Sequence, residues 1–380
     1  METADGVAQA AGETLERVTR TMVELAGVAS VSGQEDAARA YTQARLAQLS
    51  LESETDAAGN LIARVPGSPA TRDGEPPLLL NAHLDRVPPG LAHVPVLEGC
   101  VMRSDGTTNL GADDSAGITI ILEALVALQK RGLPHPPLLL VFTTGEEVGL
   151  RGAKAFDPRR WRAEDGLIFD NAGDAGVAVT RASAYIAFDA VIHGSGGHPG
   201  KSIDGAVSAI EIFRRAPYPW GSLDDDTTRI SVGRVEAGTA RNAIPRELRA
   251  LGEVRTLMEG AARAALLDRV AGAFTDAARA LGGSAEVTFD PHCDSYEVAP
   301  DEPALLAWHA AVERRGGAFT TMTTFIGSDA SALRQHVRAV TISTGAMNEH
   351  TTEEYIALEP LVELVETAVD VLAGWRAARA

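Results

Sequence analysis

Four short runs constrain this chain more than any other feature: PPLLLNAHLD (76–85), PPLLLVFTTGEE (136–147), GLIFD (166–170) and AVTIST (339–344). Each is apolar at successive positions and then turns polar. A strand without polar alternation must be covered on both faces, as in a parallel or mixed sheet between helices. Between the runs, apolar residues recur at helical spacing. GITIILEALVALQKRG reads as a helix stopped by Gly132 and Pro134. The stretch from about Glu13 to Ser50 reads as two helices parted by a turn, Ser30 to Gly33. NLIARVPG adds a strand, and about Leu358 to Arg379 a final helix. The expected class is α/β, with a mainly parallel or mixed sheet flanked by helices.

After about Arg181 the rhythm changes. AYIAFDAVIHG is a strand, AVSAIEIFRRA a helix, TTRISVGRVEAG and RELRALGEVRT two strands, GAARAALLDRVAGAFTDAARALG a long helix, and AEVTFDPH a strand. That βαββαβ order is the ferredoxin-like split. The expectation is an α+β domain over 182–295, inserted into a larger domain formed by 1–181 and 296–380.

Composition narrows the function. The chain has 380 residues and a formal net charge of −18. Such a field repels a phosphate backbone and an anionic membrane, so neither nucleic acid nor membrane is an expected partner. The two cysteines, Cys100 and Cys293, cannot build a disulfide scaffold or a thiolate zinc cluster. The acidic N-terminus has no apolar leader core, and no apolar run reaches the ~18 residues of a spanning helix. A cytoplasmic protein is expected.

Five polar clusters remain. His83 and Asp85 end the first run, Glu146 and Glu147 the second, and Asp170 the third. His350 follows the fourth, and Asp113 with Asp114 opens a helix. Carboxyl ends of buried strands are where open α/β sheets form ligand sites. Each cluster has a plainer reading: a turn, an N-cap, an Asx turn or a surface pair. Those readings would have to hold together at one sheet edge, which strengthens the joint pattern. Imidazole and carboxylate without thiolate suit a catalytic divalent ion. Two imidazoles and several acids suit two ions with a bridging carboxylate, which polarise a carbonyl and generate hydroxide. Asp85, two residues after His83, can fix that ring's tautomer. One of Glu146 and Glu147 can ligate while the other moves a proton.

With the inserted domain, the motifs LLLNAHLDRVPPG, NLGADDSAG, FTTGEEVGLRGA, FDNAGDAG and NEHTTEEYI resemble a known family. It is the co-catalytic di-zinc exopeptidase family of peptidase T, aminoacylase, glutamate carboxypeptidase and succinyl-diaminopimelate desuccinylase, with the peptidase T-like branch most similar. The resemblance implies that His83 and Asp170 hold one metal, Glu147 and His350 the other, and Asp113 bridges them. It implies a cis peptide after Asp113. Asp85 would orient His83, and Glu146 would be the general base. His198 in GSGGHPG would stabilise the oxyanion, often across a dimer. Asn242 in RNAIP and Arg255 in GEVRT would bind substrate. Departures are Arg86 in place of Thr, Gly145 in place of an acid, and Ser115 in place of Lys.

The expected function is metal-dependent hydrolysis of amide bonds by an aminopeptidase on short peptides. Zinc is the first choice of metal, with cobalt or manganese as alternatives. Carboxypeptidase, dipeptidase or N-acyl-amino-acid deacylase activity is the alternative on the same site. An inactive binding protein should have lost Glu146 or several ligands, and none is missing. A two-metal phosphoesterase should have a more basic pocket. A homodimer through the inserted domain is implied by resemblance alone.

Overall fold

The computed structural model describes residues 4–69, 74–89, 93–224 and 226–378. Gly90 of the first motif and the expected helix end at Arg379 lie outside them. The chain forms two compact units. The first comprises Met1–Thr180, Glu297–Thr323 and Ser328–Ala380, and the second Arg181–Tyr296 with Thr324–Gly327.

The first unit is built on a mixed sheet flanked by helices. Its central strands run in the order Leu61–Val65, Leu138–Thr143, Leu78–His83, Asp165–Phe169 and Arg338–Ile342. The last four are mutually parallel, whereas Leu61–Val65 is antiparallel to its neighbour. Every residue of Leu78–His83, Leu138–Thr143 and Asp165–Phe169 is buried. This is what continuous apolar runs require. The register pairs His83 with Thr143 and Phe169 with Ile342. The polar residues that end these strands therefore emerge at one edge.

The helix Ala112–Arg131 packs on this sheet with helices Ala4–Ala26 and Leu358–Ala378. Mid-helix Glu123 is fully buried. It accepts hydrogen bonds from Arg17 Nε (3.0 Å), Arg45 Nη2 (2.8 Å) and Thr21 Oγ1 (2.8 Å). A buried carboxylate with two cationic partners and a hydroxyl has its acceptor capacity used, so its burial is tolerated. Some features were not foreseen. A small four-stranded sheet joins Ala346–Met347, Tyr355–Ala357, Val101–Arg103 and Val96–Glu98. The segment 324–327 also joins the second unit.

The second unit is an antiparallel sheet in the order Gly221–Leu223, Thr228–Ala237, Glu247–Thr256, Ala184–His193 and Ser284–Cys293. The helices Ala209–Arg215 and Gly260–Ala280 pack on it. Ala184–His193 alternates buried and part-buried positions along most of its length. Its inward Ile186, Phe188 and Ile192 join Val254, Leu266, Val270 and Phe274 in a separate core. Period-2 alternation puts one strand face on the core and leaves the other for polar side chains.

Candidate metal centre

His83 ends its strand with the ring buried. Its Nδ1 lies 2.9 Å from the Asp85 backbone carbonyl and 3.6 Å from Asp85 Oδ1. The carbonyl is thus the nearer acceptor. An N–H at Nδ1 leaves Nε2 as the ligating nitrogen. Nε2 faces Asp113 Oδ1 at 3.1 Å. The other oxygen of Asp113, Oδ2, is 3.2 Å from His350 Nε2, which is also 3.1 Å from Glu147 Oε1. One carboxylate therefore stands between two imidazoles. The expected cis peptide is present between Asp113 and Asp114. His350 has a φ of 64°, a left-handed conformation that histidine adopts more readily than most residues.

Asp85 braces the loop of the two glutamates. Its carboxylate accepts from Glu146 N (2.9 Å), Glu147 N (3.2 Å) and Ser32 Oγ (2.7 Å). Asp114 is buried and accepts from His83 N at 3.0 Å and Gly117 N at 2.9 Å. Glu354 is buried beside Asp113. It accepts from Leu110 N (2.7 Å), Gly111 N (2.8 Å) and Asp113 N (3.1 Å). Sequence reasoning passed over Ser32 and Glu354. Only the position of Glu354 in the quoted HTTEE motif hinted at it. Asp329 was also passed over. It is buried and accepts from Asn81 Nδ2 at 3.1 Å and from Thr143 Oγ1.

The electrostatics are those of a cluster short of positive charge. Burial raises the Asp170 and Glu146 carboxyls well above their ordinary range, and neighbouring carboxylates push them further. Burial would lower His83, but hydrogen bonds to Asp113 and Asp85 outweigh it and raise its pKa well above normal. Burial would raise Asp113, but its bonds to His350 and His83 hold it far below normal. Asp170 Oδ2 is buried without a hydrogen-bond partner. A ligating nitrogen or oxygen from each of His83, Asp113 and Glu147 lies within 4.8 Å of the others. Crowded carboxylates, an orphaned buried oxygen and imidazoles without thiolate fit a hard or borderline divalent ion.

The remaining expected site residues, His198, Asn242 and Arg255, belong to the second unit. His198 is exposed, and its Nδ1 accepts from Gly200 N at 3.1 Å. Asn242 is exposed on a neighbouring loop, joined to that of His198 by Ile244 N donating to Gly197 O at 2.8 Å. Arg255 donates to Phe325 O at 2.8 Å, pairs with Glu253 at 3.1 Å and stacks 4.4 Å over Tyr185. Arg86 and Ser115 are both buried, and Arg86 donates to Ser115. A cavity of about 820 Å³ lined by Trp308, Val312, Leu364 and Thr367 shares no residue with the carboxylate cluster.

The sequence pattern of peptidase family M20/M25/M40 matches residues 79–374. The protein YqjE of Bacillus subtilis (strain 168) is 32% identical over 318 residues, 83% of this chain and 84% of that protein. The solved aminopeptidase PepT from Bacillus cereus ATCC 10987 superposes with a TM-score of 0.87 at 30% identity, covering 95% of this chain and 99% of its own. A tripeptidase from Staphylococcus aureus subsp. aureus Mu50 gives 0.90 at 27% identity, covering 96% and 99%.

Proposed function

This chain belongs to peptidase family M20/M25/M40, and we propose that it is a metal-dependent aminopeptidase acting on short peptides. The observation that carries this reading is Asp113. Its two oxygens lie 3.1 Å from His83 Nε2 and 3.2 Å from His350 Nε2, as a carboxylate shared by two ligand sets would. The names of the PepT and tripeptidase structures support a short peptide with a free N-terminus.

In this reading His83 and Asp170 hold one ion, Glu147 and His350 the other, and Asp113 both. Two divalent ions, zinc first with cobalt or manganese as alternatives, would polarise the scissile carbonyl and acidify water when bound. Glu146 takes the proton of the attacking water and returns it to the leaving amine. Burial and negative neighbours raise its carboxyl, which suits it to hold a proton. Asp85 aims Glu146 through the 2.9 Å bond to its backbone N–H. His198 steadies the oxyanion, and Asn242 and Arg255 hold the substrate backbone or carboxylate. The second unit serves as lid and homodimer contact, and the enzyme works in the cytoplasm.

The test is a panel of di- and tripeptides with free or blocked termini, with N-acyl amino acids, before and after chelation and metal add-back. Cleavage that needs a free N-terminus and a metal is expected. Cleavage only of N-acyl amino acids would replace the aminopeptidase with a deacylase. Cleavage indifferent to chelation would overturn the metal-dependent reading.

A further inference from the structure

Arg86 is a buried guanidinium whose described hydrogen bonds all end on neutral oxygens. Nη2 donates to Leu25 O at 2.7 Å and to Ser115 Oγ at 2.5 Å. Nη1 donates to Val28 O at 3.0 Å and Ala26 O at 3.4 Å. Leu25 and Ala26 are the last residues of the helix Ala4–Ala26. A helix C-terminus carries partial negative charge that a cation offsets. The guanidinium also meets the loop that presents Asp113. A Cβ on Gly111 would lie 2.7 Å from Arg86 Cδ and Nε, so that position admits only glycine while Arg86 stays. Gly111 has a φ of +72° and donates to Glu354, and Ser115 N donates to Gly111 O at 3.3 Å. The Arg86 backbone ties the same residue to the other limb of the site. Its N–H donates to Ser30 O at 2.9 Å, and its carbonyl accepts from Ser32 N at 3.3 Å. Ser32 in turn bonds Asp85.

We propose that Arg86 is a positioning residue for the metal centre: its cation, wedged between Gly111, Ser115 and a helix end, offsets the part-buried Asp113 and the buried Asp114 and Glu354 and fixes the loop that aims Asp113. The proposal rests on the metal-dependent reading above. Glu354, Asp113 and Asp114 all interact electrostatically with Arg86, and two buried carboxylates with a part-buried third are costly unless a cation shares their surroundings. The planar fork reaches the helix end and Ser115 together, which a point ammonium at position 86 cannot do. The cation can, however, come from the other end of the contact. Lysine at 115 with threonine at 86 would return a positive charge to the same space, whereas lysine at 115 facing Arg86 would bury two like charges.

The experiment is a double-mutant cycle on the full chain: wild type, Arg86→Thr, Ser115→Lys and the pair. Zn²⁺ and Co²⁺ affinities are read by competition with a chromophoric chelator. Thermal midpoints are recorded with metal and with chelator. Each single change should weaken metal affinity about tenfold or more, as loss of a residue supporting a ligand does. The pair should recover most of that loss, a coupling that independent sites do not show. A pair as weak as the summed singles overturns the proposal. So do unchanged affinities with midpoints lowered equally with and without metal. If Arg86→Thr does not fold, Ser115→Ala carries the test. It removes one hydrogen-bond acceptor and should weaken metal binding about threefold; unchanged affinity overturns the proposal. Wild-type protein that takes up neither ion overturns this proposal and the metal-dependent reading together. A metal-binding wild type with an additive cycle overturns the proposal alone.

Discussion

Glu146 and Glu147 are adjacent, yet their surroundings differ. Glu147 reaches His350 at 3.1 Å, while Glu146 is anchored by its backbone and leaves its carboxyl uncommitted. Replacing Glu146 with Gln should therefore spare metal uptake and lower kcat about 10²–10⁴-fold, the usual worth of a general base. Near-wild-type turnover in a metal-loaded Glu146→Gln would remove it from the mechanism. His350 gives a second prediction. In the metal-free chain its hydrogen bonds to Asp113 and Glu147 raise its pKa from 6.5 to about 10. A raised histidine pKa stabilises the fold fully below the unfolded value, and that contribution is lost as pH climbs through the folded one. Chelator-treated protein should thus melt at falling temperatures from pH 6.5 towards about 10. If His350 ligates an ion as proposed, its imidazole gives up that proton on binding, and metal-loaded protein should show less of the fall. A flat midpoint for the metal-free chain across this window would be inconsistent with the ion pairs described.

The strands Leu78–His83, Leu138–Thr143 and Asp165–Phe169 bring their polar ends to one edge because they are buried and in register. His83 and Thr143 share a rung, and Asp170 follows Phe169, which pairs with Ile342. The His350 segment has no such support. It is held by the small sheet, where Tyr355–Ala357 pairs with Val101–Arg103. Those strands are only two or three residues long and have no periodicity to read. Their contribution shows at Glu354, which closes three backbone N–H groups around the Asp113 loop. Glu354→Ala would leave those donors buried without partners, at a cost of about 3 kcal/mol. Denaturant unfolding should register that loss, along with weaker metal binding. A change under about 0.5 kcal/mol, the scale of an ordinary surface substitution, would mean that the loop is held by other contacts.

The second unit has its own core, centred on Phe188 and Phe274, and the chain crosses into it at Arg181 and out again at Tyr296. Residues 181–296 expressed alone should therefore unfold in a single sigmoidal transition by circular dichroism. A broad, non-cooperative melt would mean that the unit depends on the first, or on residues 324–327. Among the described residues no helix is long and apolar enough to cross a membrane.

The sequence by itself determined the elements whose pattern is long or continuous. These are the buried parallel strands, the long helices and the alternating strands of the second unit, because burial on two faces or one imposes a readable period. It also singled out the side chains proposed here as ligands, since imidazoles and carboxylates at strand ends are the residue types a divalent ion takes. Only the tertiary structure decided what holds them. Asp85 was legible as a partner of His83, but that it offers its carbonyl there and its carboxylate to Glu146, Glu147 and Ser32 depends on loops brought together across the sheet. Arg86 and Ser115 read as separate departures, 29 residues apart, and the fold makes them one contact. Glu354 lies 241 residues from the Asp113 N–H it accepts. Local sequence carries no signal for such pairs, because long-range hydrogen bonds are set by where packed elements meet rather than by periodicity along the chain.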